Sequence, residues 1–296
     1  MLQGAMTAMI TPFADGRVDF DRLRDNVAFQ IDEGIDGLVP VGTTGESPTL
    51  SPDEHRQVIE QVVDAAAGRV PVIAGTGSNA TQEALDFTRH AREVGASAAL
   101  MVNPYYNKPT QEGLYRHFST VADAVDLPIV LYNIPGRTGV ALTPATIARL
   151  ASHANIVAVK EATGSMDMAS EIASLCHSDQ MAILSGDDSL TLPLMAIGGR
   201  GVISVLSNLV PGRIKAMVDA AADGDFTSAR HQHVELFPLF KAMFLETNPI
   251  PIKTAMAILG RDTGELRLPL CEMASDTRQR LEATLRSAAL TPQHAG

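Results

Sequence analysis

The sequence predicts an α/β protein of the (β/α)8 TIM-barrel class with an additional C-terminal helical region. Two observations support this prediction. Short apolar segments rich in Val, Ile and Ala alternate eight times with helix-like segments over about 220 residues, which is the pattern and length of such a barrel. No Gly-x-Gly-x-x-Gly motif follows the first apolar segment, although an open doubly wound sheet that binds a dinucleotide would carry one there.

The eight apolar segments are predicted to be parallel β-strands. None of them alternates cleanly between apolar and polar residues, as is typical of strands buried on both faces. The predicted strands are Ala5–Ile10, Gly37–Val41, Val70–Ala74, Ala98–Val102, Pro128–Tyr132, Ile156–Val159, Ala182–Leu184 and Gly201–Val205.

The segments between these strands are predicted to be helices. The first places Leu23, Val27 and Ile31 on one face, and the second begins after Ser51-Pro52, a capping residue and a proline that suits a first helical turn. The predicted helices are Asp21–Glu33, Asp53–Ala67, Thr81–Val94, Gln111–Ala124, Thr143–Ala151, Met166–Cys176, Ser189–Ile197 and Pro211–Ala222.

Residues 225–296 are predicted to be a helical appendage packed on a catalytic barrel formed by residues 1–224. Three helix-like segments occur there, Thr227–Phe244, Pro251–Leu259 and Ser275–Ala289. No Gly- or Ser-rich linker precedes them, so we expect them to pack on the barrel and not to form a separate domain.

The composition excludes several classes of partner and indicates a cytoplasmic protein. The formal charge is −11, from 23 basic and 34 acidic residues, and such a surface repels nucleic acids and anionic membranes. Two distant cysteines, Cys176 and Cys271, are typical of a reducing compartment. The N-terminal residues lack the basic region of a signal peptide, and no apolar run reaches the ~20 residues of a transmembrane helix.

Lys160 follows the predicted strand Ile156–Val159, at the end of the barrel where such enzymes carry their active sites. An apolar barrel mouth disfavours the charged form of an amine, and a neutral amine forms imines with ketones. The position alone supports equally well an ion pair between Lys160 and a carboxylate such as Asp187.

Two other strand ends carry polar residues with two interpretations each. Tyr132 could shuttle protons beside an imine-forming lysine or simply cap the barrel core. Thr43 and Thr44 lie in a Gly-flanked turn that could bind a small carboxylate or be an ordinary turn. Arg137, in a predicted loop over residues 135–139, has a planar fork that suits carboxylates, although most loop arginines are solvated.

No metal-binding motif or phosphate-binding loop is evident in the sequence. His231 and His233 are two residues apart on a predicted helix, so they face different directions. No Gly-x-x-x-x-Gly-Lys-Ser/Thr motif occurs. These observations favour a mechanism without metal or cofactor, in which a lysine provides the electrophilic catalysis.

Eight short motifs occur together along nearly the whole chain. They are Val41–Ser47, Gly75–Asn79, Asn103–Tyr106, Tyr132–Thr138, Val159–Ala162, Ser185–Asp188, Gly201–Ser204 and Glu246–Pro251. In this order they resemble the dihydrodipicolinate synthase family of the N-acetylneuraminate lyase superfamily. Each motif alone is a weak signal, whereas their joint occurrence is highly specific.

The resemblance implies a set of catalytic residues and an assembly. Lys160 matches the family's Schiff-base lysine, which binds pyruvate. Tyr132, Thr43 and Tyr106 match its proton relay, in which Tyr106 reaches across a dimer interface into the partner's site. The family is commonly a homotetramer built as a dimer of dimers, and we expect the same here.

The resemblance also implies the substrates and the residues that bind them. Pyruvate, held as an enamine, attacks L-aspartate 4-semialdehyde in the diaminopimelate route to lysine. Thr44, together with Thr43, matches the residues that bind the pyruvate carboxylate, and Arg137 matches the residue that receives the semialdehyde carboxylate. Gly186 and the carbonyl group of Ile203 match further positions of the pocket.

A regulatory site for L-lysine is implied as well, since bacterial and plant members can bind this end product at a dimer-interface cleft. Glu83 can pair with an ammonium group, Asn79 and Tyr105 can bind a carboxylate, and His55 with Ser47 can hold the second amine. Two prolines near Ser47 and His55, Pro48 and Pro52, differ from the residues that some lysine-sensitive members have at these positions.

Two other functions compete with this interpretation. Cleavage of a sialic acid or of a sugar-derived keto acid would use the same chemistry at Lys160, but Gly136-Arg137-Thr138 favours a small semialdehyde that bears a carboxylate. A non-catalytic barrel that only binds a ligand would be expected to have lost Lys160 or the proton-relay residues. All of these residues are present, which argues against this alternative.

Overall fold

A closed ring of parallel strands is the centre of the structure, a computed structural model that describes residues 2–177 and 179–291. The strands are β1 (Gly4–Ala8), β2 (Phe13–Ala14), β3 (Arg17–Val18), β4 (Gly37–Val39), β5 (Ile73–Gly75), β6 (Ala98–Val102), β7 (Ile129–Asn133), β8 (Ile156–Glu161), β9 (Ala182–Ser185) and β10 (Gly201–Ser204). Eight of them form one sheet in the order β4-β1-β10-β9-β8-β7-β6-β5, and a bridge between Leu38 and Val72 closes it. The predicted barrel is confirmed.

Helices follow the strands of the ring and cover it from outside. They are α1 (Phe20–Asp32), α2 (Pro52–Ala66), α3 (Thr81–Glu93), α4 (Gln111–Ala124), α5 (Pro135–Thr138), α6 (Pro144–Ala151), α7 (Met166–Leu175), α8 (Thr191–Ala196), α9 (Pro211–Ala222), α10 (Phe226–Ala242), α11 (Ile250–Ile258) and α12 (Ser275–Ser287). All eight predicted barrel helices occur, with bounds that differ from the prediction by at most two residues. α2 begins at Pro52, one residue before the predicted start, because Ser51 and Glu54 form a reciprocal capping box.

Two short elements differ from the sequence prediction. The predicted loop over residues 135–139 was wrong, because Pro135 opens a short helix, α5, and Gly139 ends it with a φ of +72°. The hairpin of β2 and β3 was missed. Its turn, Asp15-Gly16, has positive φ at both residues, and Asp-Gly is the local signal that could have revealed it.

Apolar side chains fill both faces of the strands, as predicted. One layer lies inside the ring and includes Leu100, Val130, Ala158 and Leu184, all with 3 % exposure or less. The larger layer lies between the strands and the helices. Because successive side chains of a strand point to opposite faces, Lys160 shares the interior face of β8 with Ala158.

The C-terminal helices pack on one another and on the barrel. α10 contacts both α9 and α12, and α11 contacts α12. The division at residue 224/225 stays a prediction, and residues 292–296 of the predicted appendage lie outside the described residues. Among the described helices, none combines the length and the apolar character that crossing a bilayer requires.

Candidate functional site

Lys160 and Tyr132 lie side by side at the carboxyl ends of β8 and β7. They are register partners in the sheet, and both are buried, with 5 % and 4 % exposure. The Lys160 Nζ atom lies 4.2 Å from the centre of the Tyr132 ring. The strands therefore place an amine and a phenol in contact at the carboxyl end of the barrel interior.

The alternative of an ion pair between Lys160 and Asp187 finds no support in this geometry. The Asp187 carboxylate instead caps the turn that follows it, since its Oδ1 accepts hydrogen bonds from Ser189 N at 3.0 Å and from Ser189 Oγ at 2.9 Å. Within the described part of the chain, none of the ion pairs includes Lys160.

Gly186 leaves space for the Lys160 side chain. A Cβ atom at residue 186 would lie 2.6 Å from the Cβ of Ala162 and 3.1 Å from the Cε of Lys160. Its N–H group donates a hydrogen bond of 2.7 Å to the carbonyl of Glu161. The close approach therefore requires glycine at this position, next to the amine.

The turn that carries Thr43 and Thr44 is strained at its start. Val41 has a φ of +56°, which is a clear outlier for a β-branched residue. The bare Cα of Gly75 makes this backbone possible, because a Cβ there would lie 2.1 Å from the carbonyl oxygen of Val41. Thr43 is half-buried and Thr44 is buried.

A buried ion pair supports the end of this turn. The Lys253 Nζ atom donates to Glu46 Oε1 at 2.8 Å and to the Thr11 carbonyl at 3.0 Å. Both charged side chains are completely buried, and the second Glu46 oxygen accepts from the backbone N–H of Arg267 at 3.2 Å. Because its amine is paired with the Glu46 carboxylate, Lys253 is unsuited to imine formation.

A cavity of about 310 Å³ opens beside this turn. Its walls include Thr43, Ser47, Tyr105 and Arg137. Glu46 also contributes to the walls, but its charge is neutralised by the ion pair described above. Arg137 is the one cation among the lining residues, so the cavity favours an anion although the whole protein carries a charge of −11.

The cavity adjoins the lysine–tyrosine pair, although neither of those two side chains is among its lining residues. Val102 lines the cavity and is the register partner of Tyr132 in the neighbouring strand. Ile134 also lines it and follows Tyr132 by two residues. The structure therefore places the predicted residues in two adjacent groups, a buried amine with its phenol and a cavity with a cation.

Arg137 and Thr44 are linked through Asn248, which the sequence analysis did not single out. The Arg137 Nη2 atom donates to the Asn248 carbonyl at 2.9 Å. The Asn248 Nδ2 atom donates to Thr44 Oγ1 at 3.0 Å. Asn248 lies in the motif Glu246–Pro251, which carried the family resemblance, and this membership was the only available signal.

Asp188 is a second buried polar residue to which the sequence analysis gave no role. Its Oδ2 atom accepts from the N–H groups of Val205 and Leu206 at 3.1 Å and 3.0 Å, directly after the strand that carries Ile203. Burial raises the pKa of this carboxyl group. Ile203 itself is completely buried in β10 and is not among the residues that line the cavity.

Tyr106 lies apart from both groups. Its side chain is 89 % exposed, and its φ of +72° is unusual for a residue with a side chain. The adjacent Tyr105 points the other way and lines the cavity. The single chain therefore does not bring Tyr106 to Lys160.

Three residues of the predicted lysine site, Glu83, Asn79 and Tyr105, lie near the start of α3. Burial and the charge of Glu83 raise the pKa of Tyr105, and Glu83 accepts a hydrogen bond from the Ser78 hydroxyl. The Asn79 carbonyl accepts from Asn107 Nδ2 at 2.8 Å. These neighbours form a polar patch at the start of α3, next to the cavity wall that contains Ser47.

His55 is buried on α2 and contacts Phe87, which follows Glu83 by one turn of α3. Its ring is stacked on that of Phe87, with 3.9 Å between the centres. Burial lowers the pKa of His55 to about 4. The imidazole is therefore neutral at physiological pH.

Comparisons with known proteins agree in their result. The chain matches the dihydrodipicolinate synthetase family over residues 1–288. It is 54 % identical over 291 residues to the 4-hydroxy-tetrahydrodipicolinate synthase of Methanocaldococcus jannaschii, with 98 % of this chain and 100 % of the relative covered.

Two solved structures of similar proteins contain bound molecules. One is the chloride-inhibited dihydrodipicolinate synthase of Acinetobacter baumannii in complex with pyruvate, at 44 % identity and a TM-score of 0.95, with 98 % and 100 % of the two chains covered. The other is the dihydrodipicolinate synthase of Cyanidioschyzon merolae with lysine bound, at 41 % identity and a TM-score of 0.94, with 97 % and 98 % covered.

Proposed function

This chain belongs to the dihydrodipicolinate synthetase family, and from that premise we propose that it is a 4-hydroxy-tetrahydrodipicolinate synthase, a lyase that condenses pyruvate with L-aspartate 4-semialdehyde. The family predicted from the sequence motifs is confirmed. The observation that carries the proposal is the buried Lys160 amine on the face of Tyr132, next to a cavity whose one cation is Arg137.

The proposed reaction begins at the Lys160 amine. The neutral amine attacks the ketone carbon of pyruvate, and loss of water gives a protonated imine. Loss of a methyl proton converts the imine to an enamine, whose carbon attacks the aldehyde carbon of the semialdehyde. The amine of the joined product then displaces the lysine and closes the ring. Tyr132, Thr43 and Tyr106 would carry the protons in this scheme.

Two residues are proposed to bind the carboxylates of the substrates. Thr44 would donate its hydroxyl hydrogen to pyruvate, together with Thr43. Arg137 would receive the semialdehyde, since a guanidinium forms two parallel hydrogen bonds with a carboxylate. Gly186 and the Ile203 carbonyl would complete the pocket. The positive charge of the cavity supports this assignment.

The proposed function is tested by identification of the product. Purified protein is given pyruvate with L-aspartate 4-semialdehyde, with other aldehydes, or is given N-acetylneuraminate alone. We expect rapid turnover only with the semialdehyde. Release of pyruvate from N-acetylneuraminate, without turnover of the semialdehyde, would instead support the alternative of a sialic acid or keto-sugar acid lyase.

We expect Arg137→Ala to weaken binding of the semialdehyde selectively. Loss of a charge-assisted bidentate contact costs roughly 2–4 kcal/mol in transition-state binding, so the KM for the semialdehyde should rise far more than the KM for pyruvate. Steady-state kinetics with each substrate varied in turn measures both. Arg149→Ala, at an exposed arginine on α6, is the matched control, and equal effects on the two KM values would argue against this role.

The exposure of Tyr106 supports a site that two protomers share, within the proposed dimer of dimers. We expect Tyr106→Phe to lose about 100-fold in turnover, as is typical when one proton-transfer group is removed. A mixture of Tyr106→Phe and Lys160→Ala protomers should regain activity, because one site of each mixed dimer has both residues intact. A fully active monomer in sedimentation experiments, or no regain on mixing, would refute the shared site.

L-lysine is proposed as an effector, since a relative has lysine bound, and its proposed site is the polar patch of Glu83, Asn79 and Tyr105. We expect millimolar L-lysine to inhibit the enzyme without competing with pyruvate, and Glu83→Thr to weaken this inhibition. Glu93→Thr, at the exposed end of the same helix, is the control. Calorimetry that detects no lysine binding at several millimolar would remove the effector and leave the catalytic proposal intact.

The proposed reaction also bears on where the protein acts. Biosynthesis of lysine from soluble metabolites is a cytoplasmic process, and we propose this compartment for the protein. The reaction needs no metal or organic cofactor, since the protonated imine itself accepts the electrons of the carbon–hydrogen bond that breaks.

A further inference from the structure

Asn248 contacts both Thr44 and Arg137, and we infer that it is a positioning residue that fixes the pyruvate-binding and semialdehyde-binding groups relative to each other. Its side-chain amide donates to Thr44 Oγ1 at 3.0 Å, and its backbone carbonyl accepts from Arg137 Nη2 at 2.9 Å. The inference rests on the proposed function, because it concerns the residues proposed there to bind the two carboxylates.

The hydrogen bond to Thr44 determines what the threonine can offer to a ligand. A hydroxyl group has one hydrogen to donate and two lone pairs to accept with. Since Asn248 Nδ2 occupies a lone pair of Thr44 Oγ1, the hydroxyl hydrogen stays available for an anion. The amide thereby keeps Thr44 in the donor orientation that a carboxylate requires.

The hydrogen bond from Arg137 to the Asn248 carbonyl orients the guanidinium group in a similar way. Arginine has five N–H donors in a rigid fork, and one of them is held by the Asn248 carbonyl. The bond fixes the plane of an otherwise exposed guanidinium, while further N–H groups stay free for a carboxylate. Both Asn248 and Arg137 line the cavity, so the orientation is set where a ligand would bind.

Asn248 can hold these groups because its own position is fixed. The residue is buried, with 5 % exposure, and α11 begins two residues later, at Ile250. Lys253 of this helix is bonded to Glu46, at the end of the turn that contains Thr44. The C-terminal segment therefore contacts the same turn at two points, through the amide and through the ion pair.

The first test compares Asn248→Ala with Asn248→Asp. Loss of the amide hydrogen bond should raise the KM for pyruvate about fivefold to tenfold, as is typical for one hydrogen bond, and the KM for the semialdehyde should rise as well. Asn248→Asp should be worse for pyruvate, although it preserves the shape, because Thr44 must then donate to the aspartate and the new charge repels the substrate.

Asn26→Ala is the matched control for these variants, because Asn26 is a buried asparagine on α1 without a contact to the cavity. We expect it to change the melting temperature and neither KM. A merely structural role for Asn248 would make the alanine variant worse than the aspartate variant, with KM values that follow the melting temperature, and this result would overturn the inference.

A double-mutant cycle tests whether Asn248 acts through Thr44. In a Thr44→Ser background the acceptor oxygen is retained, so Asn248→Ala should keep its full effect on the KM for pyruvate. In a Thr44→Val background the acceptor is gone, and the effect should nearly vanish. Equal effects in both backgrounds would overturn the inference. Turnover of the semialdehyde by the unmodified protein is measured first. If this turnover is absent, the proposed function is overturned, whereas the results with the variants test only the role of Asn248.

Discussion

We expect Lys160→Ala to lose roughly a thousandfold or more in turnover, since without the amine no imine can form. Treatment of the unmodified protein with pyruvate and borohydride should add one reduced pyruvate to Lys160, and the variant should add none. Mass spectrometry of the intact protein and of its peptides measures both results. The packing of Lys160 against Tyr132 and Gly186 leads us to expect an unchanged fold.

Lys241→Ala is the control for this experiment, because Lys241 is an exposed lysine near the end of α10. It should retain both turnover and adduct. An adduct that maps to Lys108 or Lys253 would contradict the assignment of Lys160. For Lys253 such an adduct would also contradict its complete burial against Glu46.

The second large effect is expected on stability. Lys253→Met should lower the free energy of unfolding by about 3–5 kcal/mol, because it leaves the buried Glu46 carboxylate without its cationic partner. Urea unfolding followed by circular dichroism measures this loss. Because Glu46 ends the turn of Thr43 and Thr44, we also expect a higher KM for pyruvate in the protein that stays folded.

Two further variants give this prediction its controls. The double variant Glu46→Gln with Lys253→Met removes both charges and should recover much of the stability. Arg278→Met removes one partner of an exposed pair with Glu282, 54 % and 33 % exposed, and should cost under about 1 kcal/mol. A Lys253→Met variant as stable as Arg278→Met would show that the buried pair contributes little.

The barrel and half of the site could be predicted from the sequence for a simple physical reason. Parallel strands buried on both faces produce recognisable apolar segments, and a closed ring gathers the ends of these segments on one rim. The adjacency of Lys160 and Tyr132 therefore follows once their two strands are identified in the sequence. The register between them then follows from the strand bounds.

The supporting contacts could not be predicted in this way. Asn248 reaches Thr44 across 204 positions of the sequence, and Lys253 reaches Glu46 across 207. No local pattern encodes such pairs, because periodicity describes only which face of an element is buried. A lone lysine in the apolar segment Ile250–Ile258 was nevertheless a signal, since a buried lysine almost always has a partner.

The closure of the ring has a consequence for the protein during its synthesis. β1 pairs with β4 on one side and with β10, from residue 201 onward, on the other. A growing polypeptide releases its first residues long before the last strand is made, so one edge of β1 stays open throughout this time. Because open strand edges promote aggregation, we expect the nascent N-terminal half to depend on chaperones until β10 has been synthesised and has paired with β1.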